Sequence, residues 1–90
     1  MNAEKNTPIK DTACKEKEEC KLVLFNDHVN TFSFVIDCLV EICHHDYMQA
    51  ETCTQIAHNH GKCVVKHGCH EDLRPMYEML IQKHLTVVLL

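Results

Sequence analysis

No run of apolar residues in the chain approaches a membrane span: even Val87 to Leu90, which no run exceeds, falls far short of the roughly 20 residues a bilayer requires. The charged N-terminus also lacks the apolar stretch of a signal peptide, so the expectation is a protein that stays where it is made, in the cytoplasm. Basic clustering is missing as well. The net charge is −4 with histidines neutral, and no Lys/Arg stripe forms, which removes the electrostatic footprint of a nucleic-acid binder. The seven cysteines are odd in number and contain no C-x-x-C pair, which argues against a disulfide framework and for reduced thiols. Most of them fall at apolar positions of periodic segments, where free cysteine behaves as a small hydrophobe. Neither an internal repeat nor a low-complexity segment is present.

What is present suits one compact domain: 90 residues, 46% hydrophobic and 24% charged, with room for a modest core and one site. Residues 1–19 are polar and mixed in charge, with Ile9 their one large aliphatic beyond Met1, and are expected to be a disordered extension. The folded domain is expected over 20–90. It opens with the strand formers of 21–25, which stop at the turn-forming pair Asn26-Asp27.

Between Phe32 and Cys43, the apolar residues Phe32, Val35, Ile36, Leu39, Ile42 and Cys43 recur at helical spacing, with Ser33, Asp37, Glu41 and His44 opposite. That predicts an amphipathic helix capped by Asn30 or Thr31. A second helix begins at Asp46, paired with Gln49 in a capping-box-like arrangement, and ends at Gly61. Its inward stripe is read as Ala50, Cys53 and Ala57 with Ile56. Residues 62–67 predict a short strand closed by Gly68. A third helix is expected over about 71–83, with Leu73, Met76, Met79 and Leu80 on its apolar face and Pro75 near its first turn. Residues 85–90 read as a last strand. The order β-α-α-β-α-β predicts an α+β fold, with three helices on one face of a small antiparallel sheet.

Three groups of residues are able to carry chemistry. The triplet Asn26-Asp27-His28 leaves the first strand, and taken alone it is turn chemistry, because Asn and Asp side chains bond the local backbone. His58 shares a helix face with Thr54 and Ala57, where a histidine also suits the C-terminal end of the helix dipole. Finally, His58, His60, His67 and His70 crowd Cys63 and Cys69, but not with the paired spacing of a structural zinc site. No segment shows a nucleophile with its base, so the chain is not expected to be an enzyme.

The blocks 22–27 (LVLFND), 31–37 (TFSFVID) and 58–62 (HNHGK) together resemble the ClpS adaptor family, over about residues 20–90. The resemblance implies a three-stranded sheet on three helices, with a preformed pocket between the first turn and the first two helices. It also implies a ligand: the N-terminal residue of a substrate protein, its large apolar side chain (Leu, Phe, Tyr or Trp) in the pocket and its α-amino group at the mouth. Carried over, Asn26 and His58 bond the ammonium, and Asp27 supplies negative charge beside it. Asn30 is a small polar pocket residue, Phe32 narrows the pocket, and Val35, Thr54 and Ala57 line it. His28 departs from the pattern, standing where the family has a second acid; a neutral imidazole there accepts one hydrogen bond, whereas a protonated one repels an ammonium.

The implied partner is the N-terminal domain of a Clp AAA+ ATPase of the ClpA or ClpC type, contacted through Glu71 at the start of the third helix. The flexible extension would be the unfoldase's handle during hand-over. No cofactor, nucleic acid or membrane is implied. Two rival readings stand beside this one. One is a ClpS-like domain that has lost degron binding and only regulates the ATPase, for which His28 speaks; the other is a metal-binding module of His58, His60, Cys63, His67 and His70.

Overall fold

The computed structural model describes residues 19–90. Six elements follow in the order β1 (Cys20–Phe25), α1 (Phe32–Cys43), α2 (Tyr47–His60), β2 (Lys62–Gly68), α3 (His70–Gln82) and β3 (Val87–Leu89). The sheet is antiparallel with β1 in the middle, in the order β2-β1-β3. The α+β fold is therefore the expected one. The expected extension falls almost wholly outside the described residues.

Alternation along β1 sorts its side chains between the two faces of the sheet. Leu22 and Leu24 face the helices and join Val35, Ile36, Leu39, Ile42, Leu73, Leu80 and Val87 in the core, whereas Val23 lies outside that cluster, between Val64 and Val88. Leu22, Leu39, Leu73 and Leu80 are fully enclosed. Burying each stabilises the fold by about 1.5–3 kcal/mol, which makes this stripe the main reason the helices sit on the sheet. The register slips between Leu22, opposite Lys66, and Val23, opposite Val64, so Val65 is an extra residue on β2. Its carbonyl accepts from His45 Nε2 at 2.7 Å, so the buried His45 gives the bulge a backbone partner.

Local chemistry fixes the helix ends. Thr31 caps α1, its hydroxyl accepting from the Phe34 N–H at 3.2 Å, and Asp46 caps α2, accepting from the Gln49 N–H at 2.8 Å. Gly61 ends α2 at φ 95°, a left-handed conformation that suits glycine, and its N–H returns to the Ala57 carbonyl at 2.9 Å.

Several details differ from the sequence reading. Ile56 and Met79 are exposed by 38% and 49%, because α2 turns Ala50, Cys53, Thr54 and Ala57 to the core and α3 turns Leu73 and Leu80 there, which leaves Ile56 and Met79 at the margin. The helix α3 starts one residue earlier than expected, at His70. The last strand is shorter than 85–90, although Lys21 and Leu90 exchange backbone hydrogen bonds at 3.1 and 2.8 Å and extend the pairing. Among the described residues Cys20, Cys38, Cys43, Cys53 and Cys63 are free thiols. Burial pushes the Cys43 thiol up to about 11. Burial, together with the neighbouring Cys63 side chain, pushes Cys53 up to about 12.

Candidate functional site

Where β1 ends, the chain turns against the C-terminal end of α2. The carbonyl of Gly61 accepts from the Asn26 N–H at 2.9 Å, and this bond brings the first turn beside the last turn of α2, where His58 sits. The loop then feeds α1 at the Thr31 cap. Three elements thus converge around a cavity of about 320 Å³, lined by Leu24, Phe25, Asn26, Asp27, His28, Asn30, Thr31, Phe32, Val35, Thr54, Ala57 and His58.

All nine residues singled out around a pocket in the sequence, Asn26, Asp27, His28, Asn30, Phe32, Val35, Thr54, Ala57 and His58, border this one cavity. Leu24, Phe25 and Thr31 join them. The signal for these three was present in their places directly before and inside the turn-to-cap segment, but only the fold shows that Leu24 turns inward. Glu71 lies elsewhere, exposed in the first turn of α3.

The lining is graded from floor to rim. Leu24, Val35, Thr54 and Ala57 are buried. The Thr54 hydroxyl donates to the Ala50 carbonyl at 2.8 Å, so its polar group is satisfied within α2 and adds no unmet demand to the floor. Phe32, His28 and His58 are exposed at the rim, and the Phe32 and His58 rings meet edge to face at 5.2 Å between centroids. Desolvation works to raise the Asp27 carboxyl, yet hydrogen bonds from the Asn30 N–H and side chain, the Val29 N–H and Thr86 outweigh it and hold the carboxyl below its ordinary range.

A second cavity of about 330 Å³, between α3 and β3, is bordered by His70, Arg74, Tyr77, Glu78, Val88 and Leu89. Volume does not separate the two. The first has a floor of buried, mostly apolar groups under convergent polar ones, the usual build of a ligand site, whereas none of the second's residues is buried and its Arg74 is paired with Glu78 at 2.9 Å. Among the described residues no group of three or more His, Cys, Asp or Glu is placed to hold a metal ion, so His58, His60, Cys63, His67 and His70 do not assemble into a centre. No helix among them is long and apolar enough to cross a membrane.

A small α+β domain with a cavity that pairs an apolar floor with hydrogen-bonding groups at its mouth has the build of a binding protein. The chain belongs to the family of the ATP-dependent Clp protease adaptor protein ClpS, whose profile matches residues 15–87, and like that family it is a non-catalytic adaptor working with a Clp protease. Among solved structures it is similar to Agrobacterium tumefaciens ClpS2 bound to L-phenylalaninamide, with a TM-score of 0.68 at 17% identity. The match covers 80% of this chain and 94% of that one. A search of curated proteins found no match.

Proposed function

We propose that the chain captures proteins by their N-terminal residue, taking a large hydrophobic first side chain into the cavity and the free α-amino group at its mouth. It then delivers them to a cytoplasmic Clp AAA+ unfoldase of the ClpA or ClpC type. The observation that carries this is the convergence of Asn26, Asp27, His28 and His58 on the mouth of a cavity floored by Leu24, Val35, Thr54 and Ala57. An ammonium offers three donors and needs acceptors, which amide and imidazole groups provide, with the Asp27 carboxylate lending negative charge beside them. Each charge-assisted bond contributes about 1.5–3 kcal/mol, and an internal residue of a polypeptide cannot form them. Agrobacterium tumefaciens ClpS2, similar in fold, was solved with a ligand of this chemistry, L-phenylalaninamide.

Delivery uses other surfaces. Glu71, exposed on α3 and outside the lining of the cavity, is the proposed contact for the N-terminal domain of the unfoldase, and residues 1–19 are the proposed handle. Titration of a fluorescent Phe-initiated peptide tests the capture step: saturable binding displaced by a Leu-initiated peptide, and not by an Asp-initiated one, is the expected result. Equal displacement by both would refute it.

One observation favours a second reading. His28 stands exposed at the mouth in place of an acid, and with that acceptor lost the domain would occupy the unfoldase's docking site without carrying substrate. In that case no peptide binds, yet the chain still blocks other substrates of the protease.

A further inference from the structure

Asp27 carries the one carboxylate in the lining of the cavity, and both of its oxygens are already engaged. Oδ1 accepts from the backbone N–H groups of Val29 at 3.0 Å and Asn30 at 2.9 Å. Oδ2 accepts from Asn30 Nδ2 at 3.1 Å and, more distantly, from the Thr86 hydroxyl at 3.5 Å. The same Asn30 side-chain amide donates to the His84 carbonyl at 3.0 Å. His84 and Thr86 belong to the connection between α3 and β3, so these bonds tie the loop at the cavity mouth to a segment more than fifty positions away in sequence. His84 itself sits at φ 67°, a left-handed conformation uncommon outside glycine, which turns the chain where its carbonyl meets Asn30.

We propose that Asp27 is a positioning residue: its carboxylate holds the 26–31 loop in register against the α3–β3 connection, and a ligand's amine is met by the amide and imidazole groups of Asn26, His28 and His58 rather than by a free carboxylate. The proposal rests on reading the cavity as an amine site. A carboxylate that already accepts three close hydrogen bonds and a longer fourth has most of its about four lone-pair sites engaged, so it has little left to offer a further donor. Losing it therefore acts through the loop. Without the carboxylate the Val29 and Asn30 N–H groups lose their partner and the Asn30 side chain loses one of its two anchors, so the 28–30 stretch is no longer held at the rim, while Asn26 keeps its N–H bond to the Gly61 carbonyl.

The test compares the parent chain with Asp27→Asn, which keeps one acceptor oxygen for the two backbone N–H groups but carries no charge, and with Asp27→Ala, which keeps neither. Two quantities are measured: amide hydrogen exchange at Val29 and Asn30 in the free protein, and affinity for a Phe-initiated peptide at low and high salt. Asp27→Asn should retain slow exchange and bind within about fivefold of the parent at both salt concentrations, whereas Asp27→Ala should exchange fast at both positions and bind about tenfold or more weakly. The proposal is overturned if Asp27→Asn binds as poorly as Asp27→Ala while its amides stay protected, with a deficit that shrinks in high salt; the carboxylate would then meet the amine itself. Unchanged exchange in Asp27→Ala overturns it too. Should the parent chain bind no peptide, the amine-site reading fails, and the exchange comparison alone still decides whether Asp27 orders the loop.

Discussion

His58, in the last turn of α2, meets the ring of Phe32, the first residue of α1, in a T-shaped contact with centroids 5.2 Å apart and planes at 76°. The pair bridges two helices across the cavity mouth, so each ring limits the rotamers of the other and fixes the width of the opening. An offset or edge-to-face ring contact adds about 0.5–1.5 kcal/mol beyond the area it buries.

Replacing His58 by Ala should weaken binding of Leu- or Phe-initiated peptides by about 1–3 kcal/mol, the usual cost of leaving a partly buried polar partner unsatisfied. Thermal unfolding should fall by no more than about 4–8 °C, the cost of the lost ring contact with Phe32, because His58 is exposed and outside the core. Affinity within twofold of the parent would show that His58 serves only the helix end.

At the other side of the mouth, His28→Asp should strengthen peptide binding at pH 7, since a carboxylate makes a stronger, charge-assisted bond to an ammonium than a neutral imidazole does. The gain should shrink as salt is added, because His28 is exposed and charges there are screened. An affinity that does not change at low salt would place position 28 outside the amine's reach.

Deleting residues 1–19 should leave peptide binding intact while abolishing delivery of a model substrate to the protease. Binding is read by fluorescence anisotropy and delivery by degradation in the reconstituted system. Loss of both together would mean that the extension supports the folded domain.

Acid should loosen the loop in a defined direction. Desolvation opposes ionisation of Asp27, but its hydrogen bonds prevail and the folded-state carboxyl titrates below its unfolded value. The stabilisation this carries is therefore present above about pH 4 and disappears as pH falls through the lower, folded value. The stability difference between the parent and Asp27→Asn should be constant from pH 7 to about pH 5 and close below about pH 4, as followed by chemical denaturation. A difference that widens in acid would contradict the assignment.

The sequence made most of the scaffold legible, because its signals were local. The period of Val35, Ile36, Leu39 and Ile42, the cap at Asp46 and the stop at Gly61 depend on neighbours within a turn or two, and all three appear in the fold. Leu22 and Leu24 could be placed on a strand but not assigned to the helix side until the bulge at Val65 set the register. The site was legible through likeness to a family, not through physics, since Asn26-Asp27-His28 alone reads as an ordinary turn. What stayed hidden was long-range: the Asn26 N–H bonded to Gly61, and Asn30 anchored to the His84 carbonyl, join segments that no periodicity connects.

The most direct measurement is the affinity of the full chain for a Phe-initiated peptide set against the same peptide acetylated at its N-terminus. Acetylation removes the ammonium and leaves the phenyl ring untouched, so it isolates the contribution of the cavity mouth. The account predicts saturable binding of the free peptide and a loss of at least about 100-fold on acetylation, two charge-assisted hydrogen bonds' worth. Equal affinity for the two peptides would contradict it, and would show a cavity that takes apolar side chains without reading an N-terminus.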